Sequence, residues 1–411
     1  MKLKTLDSLD LKGKTILYRA PYDIEPKKDK VSLEDFDDMR LRATLPTLQY
    51  LLEKNCKIVI LTYVGRPDGK VVERLRTKPQ AERLSKLLNH SILKLDDCVG
   101  SEVENKISQM KSGEIIMLEN VRFHNEEMID DDQFAKDLCK GKEIIVFDGF
   151  PQAHRRHAST TGIERHLPAV AGIYLQREVE TFSILLENPK HPFVIVIGGA
   201  KISDKVDAIF NLIKIADIVL IGGAVANVFL KAAGKTSFNS FVEDVFVDKV
   251  KREKKDWVED AKNILEKATS LDKKIILPTD LVVSNGDAVK VIEIDRGELE
   301  EGWMAFDIGP KTREEFSKII NQSKTIFLNG PMGKFEDGKF AEGTRTLFTS
   351  IKDARINNQA ETMVAGGDTI NAAREYGDLE DYSHVSLAGG ATLEFLAGKV
   401  LPALVPLMEN F

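Results

Sequence analysis

The chain has 411 residues, 43% hydrophobic and 30% charged, so it can bury ordinary globular cores, and its length favours two domains because single cores stop growing near about 250 residues. Its formal net charge of -7 excludes a general nucleic-acid coat, which needs a basic surface. The three cysteines have no CxxC spacing, and the amino terminus does not resemble a secretory leader. The apolar runs are too short to span a bilayer. We therefore expect a cytoplasmic protein without nucleic-acid or membrane partners.

Short apolar runs alternate with amphipathic segments in the first half of the chain. Three- and four-residue apolar spacing predicts helices between the runs, over residues 41–53 and 78–88. A repeated strand, helix, strand order is typical of a parallel sheet with helices on both faces. The runs that predict strands are residues 14–19, 57–64, 91–95, 114–118 and 143–147.

A long amphipathic segment, residues 171–187, predicts a helix that connects two lobes. Asn188, Pro189 and Pro192 end this helix, because proline removes a backbone donor and clashes with the preceding turn. Further along, the charged residues 242–267 predict a solvated helical face and a loop.

A second set of apolar runs follows the connecting helix, and most of its members end in glycine or in Asp or Asn. Ligands of open α/β sheets lie outside the carboxyl ends of the strands, so we expect these turns to converge on one crevice. The runs are residues 193–197, 218–221, 274–277, 304–308, 325–328, 363–365 and 384–387.

The predicted fold class is α/β, with two doubly wound parallel-sheet (Rossmann-like) lobes joined by a hinge helix. The predicted domains are a first, substrate-binding lobe over 1–170, the connecting helix over 171–188, and a second, nucleotide-binding lobe over 189–399. The segment 400–411 is expected to pack back onto the first lobe.

The stretch at residues 192–205, PFVIVIGGAKISDK, combines a buried strand, a Gly-Gly turn and two lysines. Ser203 or Asp204 is expected to cap the helix that follows. Lys201 and Lys205 are four residues apart, so on a helix they are expected to share one face at its positive end. Such an arrangement is typical of a site for a polyanion.

Five arginines lie in or just after predicted strand ends of the first lobe, where they can converge, and the planar fork of arginine binds phosphate or carboxylate bidentately. His154 and His157, which flank one of them, are interpreted as structural or anion-site histidines, with a metal site as the alternative. A lobe for an anionic substrate and a lobe for a nucleotide together indicate phosphoryl transfer, which depends on positioning and charge neutralisation. The five are Arg19, Arg40, Arg66, Arg122 and Arg155.

The order and spacing of the motifs resemble the phosphoglycerate kinase family over essentially the whole chain. In the first lobe they are MRLRATLPT at 39–47, GRP at 65–67, LENVRFHNEE at 118–127 and AHRRHAS at 153–159. In the second lobe they are GGAKISDK at 198–205, GGAVANVFL at 222–230, LPTDLVV at 277–283, DIGPKT at 307–312, NGPMGKFE at 329–336, GGDT at 366–369 and HVSLAGGATLEFLAG at 384–398.

The resemblance implies a hinge-bending glycolytic phosphotransferase with a carboxyl group as acceptor. The implied reaction is reversible transfer of a phosphoryl group from 1,3-bisphosphoglycerate to ADP, giving 3-phosphoglycerate and ATP. It also implies Mg²⁺ as cofactor, ATP or ADP as co-substrate, and a monomer.

In the nucleotide lobe, the resemblance gives each site residue a role. Lys201 is implied to neutralise the transferring phosphoryl group, Lys205 to bind the nucleotide phosphates with help from Asn329, Glu336 to hold the ribose hydroxyls and Asp368 to hold the metal. The implied nucleotide-binding residues are Lys201, Lys205, Asn329, Glu336, Gly366, Gly367, Asp368 and Thr369, the last four at a helix amino terminus that suits an anion.

In the substrate lobe, Arg40 is implied to meet the carboxyl group being phosphorylated, so that Arg40 and Lys201 form the catalytic pair. Arg66, Arg122 and Arg155 are implied to bind the remote phosphate. The implied substrate-binding residues are Asp23, Arg40, Tyr63, Arg66, Arg122 and Arg155.

The chain departs from the family pattern mainly in this lobe. The family's RVDFNVP appears as RAPYDIE, with Pro21 for aspartate and Asp23 for asparagine, and Tyr63 replaces the histidine of SHLGRP. In the nucleotide lobe, Ala365 and Ala388 replace glycines, a mild change unless the position needs a positive φ. Two alternatives therefore remain beside phosphoglycerate kinase: the same chemistry on another phosphorylated acid, and a nucleotide-binding paralogue without catalysis.

Overall fold

The computed structural model describes residues 1–25, 38–235, 243, 245–248, 253–294 and 301–409. The chain forms two compact units: unit 1 is Met1–Ser183 with Val400–Phe411, and unit 2 is Ile184–Lys399. The division falls within the predicted connecting helix, α5, which spans Ile173–Glu187. The functional assignment of the two domains and the hinge role of this helix stay predictions.

A six-stranded parallel sheet in the order β3-β4-β2-β1-β5-β6 forms the centre of unit 1. Its strands are β1 Thr15–Arg19, β2 Lys57–Leu61, β3 Ile92–Lys94, β4 Ile115–Met117, β5 Ile144–Phe147 and β6 Ala169–Ala171. β1 and β5 are buried at every position, because a parallel sheet is covered on both faces. The first five strands confirm predicted ones, whereas the apolar signal of β6 is too short to predict.

The helices of unit 1 bury apolar faces against this sheet. Leu41, Leu48 and Leu51 of the first helix join Ile58 and Val146 of the strands in one core. The helices are α1 Met39–Glu53, α2 Lys78–Leu88, α3 Ser101–Ser108, α4 Asp132–Cys139 and most of α5. The predicted helices 41–53 and 78–88 are confirmed.

Residues 400–409 complete unit 1. Leu401, Leu404 and Leu407 are fully buried. The Lys4 N–H donates to the Leu407 carbonyl (2.7 Å), and the Ala403 N–H donates to the Ala153 carbonyl (3.1 Å). Unit 1 is therefore built from two separate stretches of chain.

Unit 2 contains a second six-stranded parallel sheet, in the order β11-β8-β7-β15-β16-β17. These six strands confirm predicted ones, and with the unit 1 sheet they confirm the predicted fold class. The strands of unit 2 are β7 Phe193–Ile197, β8 Ile218–Ile221, β9 Val245–Asp248, β10 Glu253–Asp256, β11 Lys274–Ile276, β12 Asp280–Ser284, β13 Val289–Glu293, β14 Met304–Ile308, β15 Thr325–Asn329, β16 Glu361–Ala365 and β17 His384–Ser386.

A smaller antiparallel sheet, β13-β12-β14, corrects one expectation. The segment 304–308 is a strand, as predicted, but it does not belong to the parallel set. An apolar run shows that a strand is buried but carries no information about its pairing direction.

In the segment 242–267, part of which lies outside the described residues, the expected helix with a solvated face is present, but two strands precede it where a loop was expected. It contains β9, β10 and most of α8, which spans Trp257–Ser270. Trp257, Ala261, Ile264 and Ala268 of this helix are buried. Their steps of four and three residues place them on one face, which the many charged residues between them conceal.

The other helices of unit 2 are α6 Val206–Leu212, α7 Gly223–Ala232, α9 Pro310–Ile320, α10 Glu342–Asn358, α11 Gly367–Tyr376 and α12 Gly390–Leu396. Because α6 begins at Val206, the prediction that Lys201 and Lys205 share a helix face is wrong. Both precede the helix: Lys205 ends a turn closed by its own N–H to the Ile202 carbonyl (2.8 Å), and Lys201 lies just before that turn. Neither Ser203 nor Asp204 caps α6, because Lys205 is its N-cap residue and no side chain forms a capping hydrogen bond there. The Ser203 N–H donates to Glu243 Oε2 (3.1 Å). No helix in the described ranges is long and apolar enough to cross a bilayer.

Candidate functional site

At the carboxyl edge of the unit 2 sheet, the turns after β7 and β15 touch each other through backbone atoms. A Cβ on Gly198 would lie 2.1 Å from the Pro331 carbonyl oxygen, and one on Gly330, whose φ is +96°, would lie 2.3 Å from the Gly198 oxygen. The Gly199 N–H donates to the Pro331 carbonyl at 2.7 Å. Only glycine permits this approach, so the two strand ends form a compact backbone floor.

The turn before α11 is anchored to this floor. Asn329 Nδ2 donates to the Ala365 carbonyl (2.8 Å), and Thr369 Oγ1 donates to the same oxygen (2.7 Å) while accepting from the Gly330 N–H (2.8 Å). Neither Ala365 nor Ala388 has a positive φ, so alanine is unstrained at both positions. Side-chain hydrogen bonds thus fix the backbone in front of the α11 amino terminus.

A pocket of about 670 Å³ lies over this edge. Lys201, Lys205, Asn329, Asp368 and the glycine turns are among the residues that line it. Lys201 and Asp368 are exposed, whereas burial lowers the pKa of Lys205, although Asp204, Asp368 and Glu243 act in the opposite direction. An anion bound here would favour the charged form of Lys205.

A second pocket of about 480 Å³ shares Gly199, Ala200 and Asp368 with the first. Its wall is largely apolar, and Glu336, which is exposed, also lines it. A polar pocket joined to an apolar one is what a nucleotide needs for its phosphates and its base. The apolar side chains are Leu281, Phe306, Pro331, Met332 and Phe335.

In unit 1, Arg19 and Arg122 lie at the ring of Tyr63. The guanidinium carbon of Arg122 is 3.6 Å from the ring centroid and that of Arg19 is 5.5 Å away. Arg122 Nη1 donates to the Gly65 carbonyl (2.7 Å), and Arg19 Nε donates to the Ser159 carbonyl (3.0 Å). Arg19 Nη2 and Arg122 Nε and Nη2 are buried without a hydrogen-bond partner. Buried donors of this kind are rare and indicate a ligand or water partner.

One buried carboxylate balances part of this positive charge. Glu127 accepts from the Ser159 N–H (2.8 Å) and hydroxyl (2.7 Å) and lies 3.6 Å from His157 Nδ1. Burial raises the pKa of Glu127, while Arg19 and Arg122 act to lower it. Glu127 closes the motif LENVRFHNEE, but sequence reasoning did not identify it as a functional residue.

Both predicted histidines of this region favour the neutral form. Burial, with Arg155 beside it, lowers the pKa of His154 to about 4, and burial with Arg122 and Arg155 lowers that of His157 to about 4. Arg155 Nε donates to His154 Nε2 (3.3 Å). The permanent positive charge therefore resides on the arginines.

The replaced residues of this lobe take part in its backbone turns. Asp23 Oδ1 accepts from the Gly65 N–H (2.9 Å), and Arg40 Nη1 donates to the Asp23 carbonyl (2.6 Å). Pro21 is buried. Arg66 is exposed and makes no hydrogen bond or ion pair with the rest of the described chain, so no such bond connects it to Arg19 or Arg122.

One set of residues with metal-ligating side chains comes together in the described ranges, and it contains neither predicted histidine. His124 Nε2 pairs with Asp97 Oδ1 (2.8 Å), which also accepts from the Cys98 N–H (2.6 Å). The thiol of Cys98 is fully buried beside them. These mutual contacts explain the set as a structural ion pair.

The chain was compared with known proteins. A family model described as phosphoglycerate kinase matches residues 6–399. Proteins named phosphoglycerate kinase from Pelotomaculum thermopropionicum and Coprothermobacter proteolyticus are 38% and 41% identical, over 100% and 99% of both chains.

Solved structures agree with the sequence comparisons. The phosphoglycerate kinase of Coxiella burnetii superimposes with a TM-score of 0.83 at 33% identity, covering 99% of both chains. That of Pyrococcus horikoshii gives 0.81 at 32% identity, covering 98% of both. The similarity therefore spans both units.

Proposed function

The chain belongs to the phosphoglycerate kinase family, and on this premise we propose which of its residues carry out the reaction. It is an enzyme of this activity: it transfers a phosphoryl group reversibly between 1,3-bisphosphoglycerate and ADP, giving 3-phosphoglycerate and ATP. Its substrates are small molecules, and its place in glycolysis follows from the family.

The observation that best supports the assignment of roles is the pair of adjoining pockets in unit 2. The apolar pocket takes the nucleotide base, with Glu336 at the ribose, and the polar pocket takes the phosphates. Lys205, largely withdrawn from water over the glycine turn, binds the nucleotide phosphates. Lys201 is exposed in the same pocket and neutralises the phosphoryl group in transfer.

Mg²⁺ fits the residues of this pocket. Asp368 is an exposed carboxylate in the first turn of α11, and Mg²⁺ is typically held by one or two carboxylates together with substrate phosphates. When bound, the ion would neutralise charge on the nucleotide phosphates. Asn329 and Thr369 hold the backbone ahead of α11 in place, so that Gly366 and Gly367 present N–H groups to an anion.

In unit 1 we assign the arginine cluster to the phosphate of 3-phosphoglycerate. The unpartnered buried donors of Arg122 support this role, with Arg155 and the exposed Arg66 as further cations. Arg40 meets the carboxylate that is phosphorylated. Asp23 is engaged with the Gly65 N–H, so its charge is already hydrogen-bonded, which favours 3-phosphoglycerate over a different acid.

We also propose that the protein is a cytoplasmic monomer without nucleic-acid partners. The net charge of -7 and the three buried free cysteines, Cys56, Cys98 and Cys139, agree with this assignment. Light scattering coupled to gel filtration measures the oligomeric state, and a dimer mass would overturn the monomer.

A coupled assay with ATP and 3-phosphoglycerate tests the roles. Replacement of Lys201 by Met should lower kcat about 100- to 1,000-fold, as removal of a transition-state donor does, with little change in the KM for ATP. Lys318→Met, an exposed lysine paired with Glu314 on α9, is the matched control. Wild-type protein that binds Mg-ATP but shows no turnover would contradict the activity, and an active Lys201→Met variant would contradict the role of Lys201.

A further inference from the structure

Tyr63 forms an aromatic floor under the guanidinium of Arg122. The ring is only 2% exposed, and the 3.6 Å separation between its centroid and the guanidinium carbon is that of close cation–π stacking. Because both groups are buried, water does not weaken the attraction. Among the described residues, the hydroxyl of Tyr63 makes no hydrogen bond, so the contact belongs to the ring face.

Two contacts together leave Arg122 one free edge. Nη1 is occupied by the Gly65 carbonyl, and the Tyr63 ring stacks on the guanidinium. What remains is the edge formed by Nε and Nη2, which are buried and without a partner. That edge is the fork with which arginine binds phosphate through two parallel hydrogen bonds.

The Tyr63 ring is itself held in place by the turn that follows β2. Thr62 Oγ1 donates to the Ala20 carbonyl (3.1 Å) and accepts from the Tyr22 N–H (3.1 Å), and the Gly65 N–H donates to Asp23 (2.9 Å). Arg19, whose guanidinium carbon is 5.5 Å from the centroid of the same ring, is a second cation beside Tyr63. The negative ring face offsets the repulsion between the two guanidinium groups.

We propose that Tyr63 is a positioning residue that fixes Arg122, so that its Nε and Nη2 edge faces the remote phosphate of the substrate. This proposal rests on the proposed function, because it takes the ligand to be the phosphate of a phosphorylated acid. It differs from the implied role of Tyr63 as a residue that binds the substrate directly: the ring acts through Arg122, and the hydroxyl is dispensable.

The test measures binding of 3-phosphoglycerate and of inorganic phosphate by calorimetry, in the variants Tyr63→Phe, Tyr63→Leu, Arg122→Lys and Tyr63→Leu with Arg122→Lys. Loss of the ring in Tyr63→Leu should weaken both ligands about ten- to thirtyfold. Tyr63→Phe should recover binding to within about threefold of wild type. The double variant should bind no more weakly than Arg122→Lys alone, because Tyr63 acts only through Arg122.

The Kd of Mg-ATP, whose pockets lie in unit 2, should stay unchanged in all four variants and shows that unit 2 is intact. Near-UV circular dichroism and limited proteolysis, compared with wild type, report whether unit 1 is folded in each variant. If Tyr63→Leu does not fold, Tyr63→Met supplies an unbranched side chain without a ring. Equal losses in Tyr63→Phe and Tyr63→Leu, or multiplicative losses in the double variant, would overturn the proposal.

The outcome also separates this inference from the proposed function. If wild-type protein binds inorganic phosphate but not 3-phosphoglycerate, and the variants keep the expected order for phosphate, the substrate assignment fails while the role of Tyr63 stands. If wild-type protein binds neither ligand, both fail.

Discussion

His157 lies, buried, among the arginines of unit 1. Arg122 and Arg155 act with burial to keep its imidazole neutral, since a further positive charge there would be repelled and poorly solvated. The site thus presents guanidinium charge at every physiological pH and does not depend on protonation of a histidine. A bound phosphate would reverse part of this effect, because its negative charge offsets that of the arginines.

We therefore predict that His157 titrates near its lowered pKa of about 4 in the free protein and at a higher pH with 3-phosphoglycerate bound. Histidine NMR signals followed from pH 8 to pH 3 measure both values, and His157→Gln assigns the signal. A free-protein midpoint near 6.5, or a midpoint that 3-phosphoglycerate does not raise, would contradict the prediction.

The lowered pKa of His157 also predicts how the free energy of unfolding depends on pH. Because the unfolded chain takes up a proton at His157 before the folded chain does, the free energy of unfolding falls as pH decreases from about 6.5 to about 4. The loss from this group is at most about 3 kcal/mol. Urea unfolding of wild type and His157→Gln at both pH values measures the difference, and an equal acid loss in the two proteins would show that His157 is not responsible.

At the scale of single residues, the sequence predicted which side chains lie in the site but not which of them contact one another. Arg122 and Tyr63 were both found through motifs, yet nothing in either motif indicates that the ring stacks on the guanidinium. Glu127 was missed for the same reason, since its partner Ser159 lies in another motif and only the fold brings them together. Assignment of the site residues to substrates still rests on the family resemblance.

At the scale of elements, the carboxyl edge of the unit 2 sheet depends on glycines whose neighbours are backbone. We predict that Gly330→Ala destabilises the protein by about 2 to 4 kcal/mol, because alanine is strained at φ +96° and its Cβ would meet the Gly198 oxygen at 2.3 Å. Backbone shifts there should also weaken Mg-ATP binding at least about tenfold.

Gly338→Ala is the control for this variant, because Gly338 lacks a positive φ and a Cβ there meets nothing within 4 Å. Its free energy of unfolding should stay within about 0.5 kcal/mol of wild type. Urea unfolding and calorimetry with Mg-ATP measure both effects. Similar free energies of unfolding and similar Kd values for the two variants would show that the close approach of Gly330 to Gly198 adjusts to a Cβ without loss of stability.

Local pattern predicted most elements of both sheets because buried parallel strands are continuous apolar runs, as in Phe193–Ile197. It failed where the answer depends on partners. β14 has the same apolar character but pairs antiparallel with β12, and the start of α6 depends on the Lys205 turn rather than on the capping residues before it. Chain pairing and turn closure are long-range or backbone properties that composition does not encode.

At the scale of the whole molecule, unit 1 needs residues on both sides of unit 2. We predict that a chain stopped after Lys399 keeps Mg-ATP binding but loses 3-phosphoglycerate binding, since it lacks Leu401, Leu404 and Leu407, all fully buried. Loss of one buried leucine side chain costs about 2 to 5 kcal/mol of folding free energy, so the three together are comparable with the whole stability of a domain. The Ala403 to Ala153 hydrogen bond, beside His154, is lost as well.

Calorimetry with each ligand, together with limited proteolysis, measures this separation. Val400→Ala, at a position 59% exposed, is the control and should behave like wild type. Retained binding of 3-phosphoglycerate by the shortened chain would contradict the prediction.

The divided construction of unit 1 also sets the order in which the protein matures on the ribosome. Unit 2 is one continuous stretch, Ile184–Lys399, and all of it is translated before the segment that closes the core of unit 1. Multidomain proteins generally fold their amino-terminal domain first. We expect the reverse order here, because Leu401, Leu404 and Leu407, which complete the core of unit 1, are translated only after all of unit 2.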